Sequence, residues 1–134
     1  MALKSTGGRT EIELVRLEAD DVSEDLAAAG IAQAIAGEGV HVDRAFTGRA
    51  NLFAQNAGVL VIDSDAVNRL NRVDEAITVA TLSAYKPVVP GEMIATVKII
   101  PFAVAAAARD LAMAAAKKPL VSIAPYHVRK VGVV

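Results

Sequence analysis

Cysteine and tryptophan are absent, and aromatic residues make up only 4% of the 134-residue chain. The lack of cysteine excludes disulfides, thiolate metal sites and a cysteine nucleophile. So few aromatics leave little from which to build a platform for stacking nucleic-acid bases. An excess of either charge is missing too. Lys and Arg number 14 against 15 Asp and Glu, a formal charge of -1, so the basic stripe of a nucleic-acid binder is lacking. The longest apolar run, Ile99 to Ala108, is interrupted by Pro101 and stops at Arg109 and Asp110. A membrane helix needs roughly 20 apolar residues, so no span is expected. Met1 to Gly8 lacks the apolar stretch of a signal peptide. These absences lead us to expect a cytoplasmic protein with neither nucleic-acid nor membrane partners.

What remains is a chain of one-domain length, 54% hydrophobic and rich in alanine. Glu11 to Leu17 alternates like a strand with one face on a core. Asp21 and Glu24 have the spacing of a capping box, opening a helix with Ala27, Ile31 and Ile35 on one stripe, widened by Leu26 and Ala34. Gly37 and Gly39 end it, and Val40 to Asp43 alternates again. This reads as a strand–helix–strand unit with a parallel pair. Thr47 to Asn51 leads into a short helix over 52–57, stopped at Gly58. Val59 to Ile62, apolar throughout, reads as a strand covered on both faces. Asp63 or Ser64 caps a helix carrying Val67, Leu70 and Val73. Ala76 to Leu82 is a strand, Pro87, Pro90 and Gly91 make a turn, and Met93 to Ile100 is the longest strand. Ala103 to Ala116 is a helix with Val104, Ala107, Leu111 and Ala114 inward, and Lys117 and Lys118 complementing its dipole. Leu120 to Ile123 is a strand, making 94–123 a second strand–helix–strand unit. The expected fold class is α+β: a mixed β-sheet built from strand–helix–strand units, with helices packed on it.

No complete catalytic constellation stands out, and no metal site. His41 and His127, the only histidines, lack the spacing of a helical metal site and read as exposed or partly packed. Thr47, Gly48, Arg49 and Asn51 at a helix start would offer free amides and a guanidinium to an anion. The alternative is a Thr47-capped helix with Arg49 in solvent. Asn71, Arg72, Asp74 and Glu75 crowd a helix end, where Asn71 can cap and Arg72 can pair with either acid. Lys98 lies in an apolar strand, where it snorkels or meets an anion. The candidate anion-binding set is therefore Thr47, Gly48, Arg49, Asn51, Asn71 and Lys98, with no catalytic residue assigned.

Three long motifs carry a resemblance: FTGRANLFA at 46–54, LNRVDEAITVATL at 70–82 and VKIIPFAV at 97–104, with DDVSED at 20–25 fitting as well. From Glu11 onward the chain resembles a bacterial family of molybdopterin-binding proteins fused to a nucleotidyltransferase domain and linked to molybdenum cofactor biosynthesis. The resemblance implies that this region precedes a molybdopterin-binding α/β domain, whose first strand is similar to Val128 to Val134. Residues 1–127 would then form one mixed domain and 128–134 the first strand of a following, truncated one. The short segment that the family carries before Leu3 would be trimmed as well. The implied partners are the adjacent molybdopterin-binding and nucleotidyltransferase domains of the same chain. The implied cofactor of the parent protein is molybdopterin, with none in this portion. The glycine-rich nucleotide loop and metal carboxylates of the transferase are not in this sequence. The expectation is a non-catalytic scaffold or binding portion contacting a pterin phosphate or positioning its neighbour. Two alternatives stay open: a self-contained enzyme acting on a small anion, and a structural domain that forms homo-oligomers.

Overall fold

Ser23 ends one element and opens the next. The computed structural model describes residues 21–100 and 103–126. In chain order the described elements begin with β1 (Asp21–Ser23), α1 (Glu24–Ile35), β2 (Val40–Val42), β3 (Arg49–Ala54), β4 (Gly58–Ile62) and α2 (Ser64–Asn71). They continue with β5 (Ile77–Thr81), β6 (Pro87–Val88), β7 (Met93–Ile99), β8 (Ala103–Ala105), α3 (Ala106–Ala115) and β9 (Val121–Pro125). The expected strand at Glu11–Leu17, Pro101, His127 and the segment 128–134 lie outside the described residues.

The helix start differs from the expected capping box. Asp21 pairs with Ala105 in the β1–β8 ladder, so the backbone stays extended as far as Ser23. The Ser23 hydroxyl then accepts from the Leu26 amide at 3.4 Å, and Glu24 and Asp25 sit at the positive end of α1. Ala27, Ala28, Ile31, Ala32 and Ile35 are fully buried, whereas Leu26 is 67% exposed. Ala28 and Ala32 widen the stripe in place of Leu26, and the expected Ala34, half-buried, packs against the same core. Their small side chains let α1 contact both a sheet and α3.

The main sheet has the order β2-β3-β7-β5, all antiparallel. A second antiparallel sheet has the order β9-β4-β6, and β1 pairs with β8. The fold is α+β, with helices packed on antiparallel sheets. The first strand of the expected parallel pair, Glu11–Leu17, lies outside the described residues, and among those described β2 pairs with β3 in antiparallel register. Among the described residues parallel character is confined to one bridge, Ala36 with Val121. It is extended by Leu120 N–H to Ile35 O, Gly37 N–H to Val121 O and Ile123 N–H to Glu38 O. The 94–123 unit also differs from expectation, because β7 and β9 belong to different sheets.

Residues 52–57 do not form a helix. Ala50, Leu52 and Ala54 are buried while the residues between them face outward, the period-two pattern of a half-buried strand. β4 is likewise not covered on both faces. Leu60 is buried, but Val61 is 39% exposed, as suits an antiparallel sheet with one face on the core. The inward face of α3 differs as well. Val104 stands in β8, Leu111 is 61% exposed, Ala107 and Ala114 are exposed, and Ala112 is the fully buried residue. An alanine-rich helix has little contrast between faces, so its rotation is set by fit. A Cβ on Gly30 of α1 would lie 3.5 Å from the Met113 sulfur, which shows how closely the two helices approach.

α1 packs across β3 and β7, and α2 contacts α3 and β5. One apolar cluster joins them through Ile31, Leu52, Leu60, Leu70, Val97 and Val121. The opposite face of the main sheet carries Arg49, Asn51, Thr78, Ala80, Thr96 and Lys98, all exposed or half-buried.

Candidate functional site

Phe46 N–H donates to Arg49 O at 2.9 Å and Arg49 N–H donates back to Phe46 O at 3.1 Å. Between them Thr47 has φ 51° and Gly48 has φ 75°. Two central residues with positive φ define a type I′ hairpin turn, whose twist matches that of its flanking strands. The turn therefore ends a hairpin and does not open a helix. Thr47 is an unusual occupant, since a β-branched residue is strained at positive φ. Its hydroxyl donates to Phe46 O at 2.7 Å.

The amides at this turn are already engaged. Gly48 N–H donates to the Asp25 carboxylate at 2.6 Å, and Gly48 O accepts from Ile99 N–H at 2.7 Å. Asp25 thus ties the hairpin tip to the start of α1, a tether the sequence reading missed. With a carboxylate on the Gly48 amide, the backbone of this turn does not cradle an external anion. Thr47 and Gly48 shape the site, and any anion contact has to come from side chains.

Those side chains stand in one register row. Phe46 bridges Arg49, Arg49 opposes Lys98, and Lys98 opposes Thr78. Directly opposed residues of an antiparallel pair point to the same face, with Cβ atoms about 5 Å apart. All four are exposed, Phe46 by 74%. Among the described residues, neither Arg49 nor Lys98 forms an ion pair. In the next row the Thr96 hydroxyl donates to the Asn51 carboxamide oxygen at 2.7 Å, holding both side chains beside the cations. Lys98 is exposed on the outer face with Thr96 and Ile100. Strict alternation along β7 would put Ile94 on that face too, yet it is 1% exposed. The register moves from Leu52–Ala95 to Phe53–Met93, so Ile94 is the extra residue of a β-bulge and turns inward.

Asn71 does not join this group. Its carboxamide binds the Val79 backbone twice, at the edge of β5, across β5 and β7 from Arg49. It is therefore not the helix C-cap, which is Arg72. Arg72 forms no ion pair with Asp74 or Glu75, and Asp74 accepts from the Ala76 amide at 2.8 Å. His41 lies 3.2 Å from Asp43 at the sheet's other edge.

Thr47, Gly48, Arg49, Asn51 and Lys98 are thus brought together. Phe46 and Thr78 complete the row without having been singled out as site residues. The alternation of Arg49 to Ala54 could have shown that segment to be a strand, but Phe46 and Thr78 join the row only through the bridge to Arg49 and the β5–β7 register. No group of three or more His, Asp or Glu side chains is placed to hold a metal ion among the described residues, and no helix there is long and apolar enough to cross a membrane. Comparison with known proteins gave no matching family model, no matching curated protein and no matching solved structure.

Proposed function

We propose that this chain is a non-catalytic binding and positioning module of a molybdenum cofactor biosynthesis protein, receiving an anionic pterin phosphate on the open face of its main sheet. The observation that carries the reading is the row Phe46–Arg49–Lys98–Thr78. Two like charges directly opposed across strands are destabilising. A dianionic phosphate between them removes the repulsion and accepts charge-assisted hydrogen bonds from both. Phe46 beside the pair offers a face on which a planar ring can stack. The cofactor class rests on the resemblance of the 46–54, 70–82 and 97–104 motifs. The molybdopterin-binding and nucleotidyltransferase domains are the partners that the same resemblance suggests.

Calorimetric titration with a pterin phosphate, and separately with inorganic phosphate, tests the reading. Arg49→Ala should weaken both ligands more than Asn51→Ala does, because the guanidinium contact is charge-assisted. Phe46→Ala should weaken the pterin phosphate alone. Absence of binding, or variants that bind like the parent, would remove the proposal. The non-catalytic part has its own test. The chain incubated with molybdopterin, magnesium and CTP or GTP should release no pyrophosphate above a blank.

A further inference from the structure

On the helical side of the molecule, α2 and the end of α3 enclose a cleft of about 300 Å³. Arg69 reaches it from α2, and Lys117 and Lys118 from the segment after α3. Asp63 is the acidic residue on its wall, while Ala66 and Leu120 contribute apolar surface. The segment holding the lysines is pinned at both ends. Ala116 N–H donates to Met113 O, Leu120 N–H donates to Ile35 O, and Leu120 O accepts from Asp63 N–H at 2.9 Å. The Asp63 carboxylate is occupied as the cap of α2, accepting from the Ala66 amide at 3.1 Å. Among the described residues none of the three cations forms an ion pair.

Each cation has a local role at a helix end. Lys117 and Lys118 follow the C-terminus of α3, and Arg69 lies in the last turn of α2. Those roles do not explain why three cations from two elements converge on one cleft, in a chain whose formal charge is -1. Three cations against one carboxylate leave two positive charges, matching a phosphate monoester, which carries about -1.5 to -2 near pH 7. The volume is at the lower end for ligand pockets and leaves room for a small organic group beside the phosphate. Among the described residues the apolar lining is aliphatic, from Ala66, Ala114, Ala115 and Leu120, which suits an aliphatic organic group. We infer that the α2–α3 cleft is a second anion site, taking a small aliphatic phosphomonoester through Arg69, Lys117 and Lys118.

The cleft does not share a side chain with the sheet-face row, so the two proposals can fail separately. The probe is glycerol 3-phosphate, titrated in low-salt buffer and followed by calorimetry and amide chemical shifts. Arg69→Gln and the double variant Lys117→Gln/Lys118→Gln should each weaken binding about tenfold, the scale of losing a charge-assisted contact. With Arg49→Gln/Lys98→Gln, which removes the sheet-face cations, the amide shifts of Ala66, Arg69, Lys117 and Lys118 should still saturate with glycerol 3-phosphate as in the parent, and inorganic phosphate should saturate the same shifts only at several-fold higher concentration. All three variants change exposed side chains, and an unchanged unfolding midpoint establishes that they fold. The inference is overturned if no saturable binding occurs, if the cleft variants bind like the parent, or if the sheet-face variant abolishes binding. Equal affinity for inorganic phosphate overturns the phosphomonoester assignment.

Discussion

The Asn71 carboxamide occupies the Val79 backbone as a neighbouring strand would, donating to Val79 O at 2.9 Å and accepting from Val79 N–H at 2.7 Å. Among the described residues β5 is an edge strand of the main sheet, and a bare strand edge is open to pairing with another chain. One side chain at the end of α2 therefore both docks the helix and closes part of the edge.

Asn71→Ala should cost about 1–3 kcal/mol, since two hydrogen bonds at a half-buried position are lost. It should also promote self-association through β5. Urea unfolding gives the first effect and sedimentation velocity the second. A variant as stable and as monomeric as the parent would show that Asn71 does not protect this edge.

The turn at Thr47 and Gly48 supports a stabilising change. Thr47 is held at φ 51°, where a β-branched residue costs about 1–3 kcal/mol and asparagine much less. Asn-Gly is also the preferred pair for a type I′ turn. Thr47→Asn should raise stability by about 1 kcal/mol. Gly48→Ala should do the reverse. Its φ is 75°, and a Cβ there would lie 2.9 Å from Ile99 O and 2.7 Å from a Glu24 carboxylate oxygen. The loss should exceed about 1 kcal/mol. Thermal unfolding of both variants checks the opposite signs.

The same turn shows what the sequence conveyed. α2 was legible because Asp63 caps it and Val67 and Leu70 recur on one face, and all three do so in the structure. β5 and β7 were legible from their β-branched runs. Thr47-Gly48 was misread because threonine followed by an apolar run fits both a helix cap and a hairpin turn. What decides between them is the positive φ of both residues and the Asp25 tether, which joins residues far apart in sequence. The inward turn of Ile94 was hidden for a related reason, since a bulge exists only relative to a partner strand. Arg49, Asn51 and Lys98 could each be picked out along the chain. Their alignment with Phe46 and Thr78 needed the β3–β7–β5 register, and Asn71 left the group because its partner is a backbone.

Glu92 ties the loop between β6 and β7 together, accepting from Lys86 Nζ at 2.9 Å and from the Val89 amide at 3.2 Å. Hydrogen bonding to Lys86, first, and to the Val89 amide, second, holds its carboxyl below the ordinary value of 4.5. A carboxylate depressed in the folded state contributes its stability above the unfolded pKa and loses it as pH falls through the folded one. The loop contacts should therefore be complete at neutral pH and weaken only below about pH 4.5. The Glu92 carboxyl signal, followed by NMR from pH 7 to pH 2, should titrate below that value. In Lys86→Gln it should move back toward the ordinary value, and no movement would refute the assignment of Lys86 as the main cause.

The opposed cations make a prediction in which stability and binding move apart. Arg49 and Lys98 face each other on an exposed surface with no ion-pair partner among the described residues. Lys98→Glu replaces the repulsion with an exposed cross-strand ion pair, worth about 0.2–1 kcal/mol. The variant should be slightly more stable than the parent in low salt. Raising ionic strength to about 1 M shortens the screening length to roughly 3 Å and should narrow the difference. Phosphate affinity at the sheet face should fall by at least about tenfold, because a carboxylate now stands where the anion would sit. Unfolding midpoints at two salt concentrations, read beside calorimetric titration, give both effects on the same two proteins. Losing stability together with binding would mean that Lys98 supports the fold, whereas gaining stability while losing binding is the behaviour of a residue kept for its ligand.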